Sequence, residues 1–71
     1  MRRVFTADKI SVRFRYYEGE KEVGNISYNL LEGKFFVFTW PPSFSALRKV
    51  SELIRLLSFA SKIIKSEDVQ L

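Results

Sequence analysis

From Lys9 to Tyr17 apolar and polar residues alternate: Ile10, Val12, Phe14 and Tyr16 share one face, Lys9, Ser11, Arg13, Arg15 and Tyr17 the other. A period of two built from β-branched and aromatic residues predicts a half-buried strand. The run Glu18-Gly19-Glu20-Lys21-Glu22 breaks the pattern as a charged turn, and from Val23 to Leu31 alternation resumes. Ile26, Tyr28 and Leu30 then point inward, Asn25, Ser27 and Asn29 outward. With Gly19, Glu20 and Lys21 as the loop, Ile10 faces Leu30, Val12 faces Tyr28 and Phe14 faces Ile26. Both apolar sets fall on one side, so the hairpin is self-consistent.

The stretch from Lys34 to Trp40 is apolar on both faces, and only register decides which set is buried, because a slip of one residue turns every side chain over. A two-residue Glu32-Gly33 loop would bury Phe35, Val37 and Thr39 but needs positive φ at a glutamate. A type I turn over Leu31-Glu32 with Gly33 in the left-handed position asks this of the glycine alone. On that ground the expected inward set is Phe36, Phe38 and Trp40, with Phe35, Val37 and Thr39 outside. Pro41-Pro42 ends the strand, and Ser43 or Ser45 caps a helix. Along it Ala46, Val50, Leu53, Leu57, Ala60 and Ile64 form one apolar line, widened by Leu47 and Ile54 on one side and Leu56 and Ile63 on the other. Arg48, Ser51, Arg55, Ser58 and Lys62 lie opposite. The expected fold is α+β and two-layered, a three-stranded antiparallel meander followed by one long C-terminal helix on one face. Its strands cover about 9–18, 23–31 and 34–40 and its helix about 43–65. Residues 1–6 form a short strand or an arm, and 66–71 a tail.

Composition narrows the chemistry. The 71 residues include no cysteine and no histidine. Disulfides, thiolate metal sites, a cysteine nucleophile, the usual near-neutral base and every Ser–His–Asp or Cys–His relay are therefore missing. No enzyme, metal or other cofactor, and no small-molecule substrate, is expected. Apolar residues at 46 % and aromatics at 15 % fit a folded single domain. No run approaches the roughly 18 apolar residues of a membrane span. No apolar stretch follows the basic N-terminus, as a signal peptide would require. A cytoplasmic protein without membrane contact is the expectation. Gly19, Gly24 and Gly33 lack phosphate-loop spacing and fit turns or a strand irregularity. The alternating Glu18, Glu20 and Glu22 fit a solvated turn better than a cation site.

Charge is blocked along the chain. Residues 1–17 hold five basic groups against one acid, and residues 35–66 do the same, whereas 18–34 are acidic on balance. Two binding readings follow. The first is protein–protein contact or homodimerisation. The apolar arc of the helix is wider than the stripe of about 100° that a surface helix needs, leaving Leu56, Phe59 and Ile63, together with Val37 on the sheet, as interface candidates. The N-terminal arm, or Val69 and Leu71 folding back, would be the alternative cover. The second is DNA or RNA binding on the outer sheet face, where Lys9, Arg13, Arg15, Tyr17, Asn25 and Phe35 combine cations, hydrogen-bonding groups and stacking rings. With strand three in the other register this face would be strongly aromatic. Alternating basic residues are also what any solvated strand displays.

Two resemblances accompany this. The scarcity of amides (Asn25, Asn29 and Gln70), the single methionine and the absent cysteine resemble usage in small heat-adapted archaeal proteins, which implies thermostability and no particular function. The strand and helix order is similar in outline to three-stranded-sheet-plus-helix DNA-binding domains of certain plant transcription factors and integrases, which imply a sheet used for recognition. None of their sequence motifs occurs in this chain, so no residue role carries over.

Overall fold

Four strands and one helix make up the chain: β1 (Arg2–Ala7), β2 (Ser11–Glu18), β3 (Lys21–Asn29), β4 (Lys34–Thr39) and α1 (Ala46–Gln70). They are seen in a computed structural model that describes the backbone of residues 1–70 and the side chains through Lys65. Successive strands pair antiparallel in the order β1-β2-β3-β4, so the α+β meander has one strand more than expected. The N-terminal residues are a full edge strand. Asp8 makes this possible: its Oδ1 accepts from the Ile10 and Ser11 amides at 2.8 Å, and its own amide donates to the Ser11 carbonyl. This Asx turn places Lys9 and Ile10 at the tip between β1 and β2. Ile10 does lie opposite Leu30, whose amide donates to its carbonyl at 2.7 Å, but its side chain is exposed rather than in the core.

The β2–β3 hairpin keeps its expected upper register, with Val12 opposite Tyr28 and Phe14 opposite Ile26. Its end differs. Glu18 pairs with Lys21, which leaves a two-residue Gly19-Glu20 loop, and only Gly19 has positive φ, at 61°, the pattern of a type II′ turn. A bulge at Val23, between the pairs Tyr16–Gly24 and Tyr17–Glu22, absorbs the residue saved. Gly24 has its own reason. A Cβ there would lie 2.8 Å from Cδ of Pro41, whose ring is fully buried against the strand.

The β3–β4 register overturns the expected face of strand three. Asn29 pairs with Lys34, Tyr28 with Phe35 and Ile26 with Val37, so Phe35 and Val37 point to the helix side and Phe36 and Phe38 to the free side. Only Gly33 takes positive φ, at 67°, as turn chemistry required. The loop nevertheless holds four residues, not three, because Asn29 caps it. Its Oδ1 accepts from the amides of Leu31 (2.9 Å) and Glu32 (2.7 Å), and its carbonyl from that of Gly33. A second bulge at Phe38, between the pairs Asn25–Thr39 and Ile26–Val37, returns Trp40 to the inner side. There it packs edge-on against Tyr16 and Phe44.

Helix α1 starts at Ser45, whose Oγ accepts from the Arg48 amide at 3.1 Å. It lies over β2 and β3, and Val12, Phe14, Tyr16, Ile26, Leu56 and Ala60 form the buried core, with Leu53, Phe59 and Ile63 packed against it. The helix is turned from the expected line: Leu47, Val50 and Ile54 are exposed, and Leu56, Phe59 and Ile63 face the sheet. The unexpected strand explains the rotation. Phe59 reaches Phe5 of β1 at 4.8 Å between ring centroids and Phe14 at 5.9 Å. Two turns earlier, Glu52 meets Arg3 of β1. Both contacts draw the helix towards β1 and away from β4.

Candidate nucleic-acid interface on the free sheet face

Cross-strand pairing lines up the residues of the uncovered face in rows. Thr6, Arg13, Ser27 and Phe36 form one row across all four strands, and Val4, Arg15, Asn25 and Thr39 the next. Arg2, Tyr17 and Glu22 close one end, and Ser11, Asn29 and Lys34 the other. Phe36 and Phe38 stack on each other at 6.2 Å with 20° between ring planes, and stay 40 % and 60 % exposed. The Arg13 guanidinium lies 5.4 Å from the Phe38 ring centroid, and that of Arg2 5.0 Å from Tyr17. Guanidinium and ring thus hold each other in place while keeping a face open.

Arg15 is engaged differently. Its Nε lies 3.8 Å from Oε1 of Glu22, which also accepts from Nδ2 of Asn25 at 3.4 Å. Arg15 Nε and Asn25 Oδ1 are nonetheless buried without a hydrogen-bond partner, a donor and an acceptor side by side in the middle of the face. The ion pairs among the described residues are this one and Arg3–Glu52, so Arg2, Arg13 and Lys34 carry unpaired charge on or beside the platform. A shallow depression lined by Thr6, Ala7, Asp8, Ser11, Arg13 and Arg15 runs along its β1–β2 side. Two backbone amides, of Ser11 and then Ile10, hold the Asp8 carboxyl below its ordinary pKa.

Of the six candidates read from sequence for this face, Arg13, Arg15, Tyr17 and Asn25 come together on it. Lys9 sits in the β1–β2 turn instead, and Phe35 is on the helix side against Tyr28 at 4.8 Å. The platform also includes Phe36, Phe38, Arg2 and Lys34, which were not among those candidates. The signal for the two rings was Asn29, an Asx-turn former placed two residues before the assumed Leu31–Gly33 loop. For Arg2 it was Asp8, which announces a turn and hence a strand before it. The partner-interface candidates Leu56, Phe59 and Ile63 pack into the core, and Val37 is half-exposed beside them. Val69 and Leu71 lie outside the described residues.

A second polar constellation sits under the helix. Arg3 Nη1 donates to both Glu52 oxygens, at 3.1 and 2.8 Å, and the Tyr16 hydroxyl donates to Oε1 at 3.0 Å. Burial first, then the hydrogen bond to Glu52 and that carboxylate's charge, push the Tyr16 phenol well above its ordinary pKa. With each oxygen of Glu52 occupied and Tyr16 packed against Trp40 and Phe44, this cluster joins β1, β2 and α1, and of its three side chains Arg3 alone is partly exposed. Among the described residues no helix is long and apolar enough to cross a membrane. No protein-family model matches this chain, and no curated protein or solved structure matches it either.

Proposed function

We propose that the protein is a non-catalytic binding module that holds single-stranded nucleic acid on the free face of its sheet. The observation that carries this reading is the exposed Phe36–Phe38 stack with Arg13 against Phe38. A soluble sheet left bare on one side ordinarily shows polar side chains there, and two adjacent phenylalanines leave apolar ring faces in water. An unpaired base is flat, apolar on its faces and polar at its edges, so it matches rings set among Asn25, Thr39 and the arginines. Arg2, Arg13 and Lys34 supply charge for the phosphates that accompany each base. Single strands suit this surface better than duplex because bases in a duplex are already stacked on one another.

Fluorescence anisotropy with labelled mixed-sequence DNA and RNA oligonucleotides tests it. Binding is expected at low salt and should weaken steeply towards physiological salt, as counterion release requires. Phe38→Ala should cost about 1–3 kcal/mol, the worth of one base stack, and Arg13→Ala should also lower the slope against salt. Absence of binding at low salt to single-stranded DNA and RNA rejects the proposal. Equal affinity in Phe38→Ala moves the site off this face.

A further inference from the structure

The helix carries a second apolar surface that the sheet does not use. Leu47, Val50, Ile54, Leu57, Ser61 and Ile64 follow one another at steps of three, four, three, four and three. Leu47 is 82 % exposed, Ile54 63 % and Val50 53 %, with Leu57 and Ile64 near 40 %. Alternating steps of three and four are the seam by which one helix packs along another, knob into hole. A flat surface or a nucleic acid has no use for that period.

We infer that this seam pairs with the same seam of a second copy, antiparallel, so that the protein is a homodimer in solution. Four observations select this occupant. First, the seam reads the same from both ends: about a midpoint between Ile54 and Leu57, Leu47 falls opposite Ile64, Val50 opposite Ser61 and Ile54 opposite Leu57. This is the layering of an antiparallel pair related by a two-fold axis. Second, small or uncharged residues flank it for most of its length, Ala46, Leu53 and Ala60 on one side and Ser51 and Ser58 on the other. Arg48, Arg55 and Lys62 lie further round, so a second copy meets no facing row of like charge. Third, α1 lies over β2 and β3 and reaches β1 through Glu52 and Phe59, which leaves Phe35 and Val37 of β4 more than a third exposed and continues the apolar surface of the seam. Fourth, those side chains together expose on the order of 600 Å² per copy, which over two copies reaches the lower part of the range for specific interfaces. A patch of this size is large for a monomer.

Light scattering and sedimentation equilibrium on the full chain, from micromolar to millimolar, should give twice the chain mass of 8.4 kDa. Ile54→Glu should weaken association at least about 100-fold, through two charges buried in the central layer, with its circular dichroism retained. Arg55→Glu, on the polar face, should remain dimeric. Should Ile54→Glu fail to fold, cysteine cross-linking decides, helped by a chain that has no cysteine of its own. Leu47→Cys mixed with Ile64→Cys should form a disulfide dimer, and either alone should not. A wild-type monomer throughout the range overturns the inference, whatever other partner the seam then serves. So does a folded Ile54→Glu that stays dimeric, or a disulfide between two Leu47→Cys copies. The nucleic-acid reading stands or falls separately, since oligonucleotide binding can be measured on the Ile54→Glu monomer.

Discussion

Glu52 shows how one buried charge ties three elements together. Its side chain is 7 % exposed, yet both oxygens are engaged by Arg3 and Tyr16. Glu52→Ala would strand the Arg3 guanidinium and the Tyr16 hydroxyl, and a loss of about 3 kcal/mol is expected in urea unfolding, within the range for removing one partner of a buried pair. Tyr16 makes this cluster sensitive to base. Below pH 10 its phenol is protonated in both folded and unfolded chains, so its contribution is fully present. As pH rises further the unfolded chain ionises first, because folding raises the pKa of this group, and stability falls until the folded phenol ionises too. Urea midpoints measured between pH 8 and 11 should therefore decline at the alkaline end, and the decline should shrink in Tyr16→Phe. Little of this cluster was legible in sequence. A helical pattern marks apolar residues as inward, and a glutamate joins them only once Arg3 and Tyr16 are known to lie beneath it.

Elements became legible to the extent that their two faces differ. Strands β2 and β3 alternate cleanly, so their pairing followed from sequence even though the turn and the Val23 bulge did not. Strand β4 has apolar side chains on both faces, and nothing within it could choose between them. The choice fell to a loop one residue longer, fixed by Asn29. Asn29→Ala should cost about 1 kcal/mol, as loss of a cap does, and should broaden the amide spectrum of Lys34–Thr39 as the register loosens. The helix was expected over about 43–65 with a tail after it but runs Ala46–Gln70, and its face was misjudged because β1, which supplies Phe5 and Arg3, was read as optional. Glycines separate by cause in the same way. Gly24→Ala meets the Pro41 ring at 2.8 Å, and a loss of about 1–3 kcal/mol is expected from overpacking. Gly19→Ala meets no atom within 4 Å and should cost about 1 kcal/mol, through its positive φ alone. Chemical denaturation of the two variants side by side checks the order.

At the scale of the whole molecule, the core among the described residues is six buried side chains with the Pro41 ring beside them, thin for a chain near the lower size limit of independent folding. Pairing through α1 would add the seam to that core. The melting temperature should then rise with protein concentration, since association stabilises the folded chain by mass action. A scanning calorimetry series over a hundredfold range in concentration checks this. The same pairing fixes where the free sheet faces go. Each sheet has its helix on one side and its aromatic rows on the other, so helices joined at the centre leave the two platforms turned outward, back to back. Such a particle has two valences pointing in opposite directions. It would act less as a longer track for one strand than as a clasp between two, or between distant segments of one. Its grip on a long polymer would then exceed that on a short oligonucleotide through effective concentration, without any further contact.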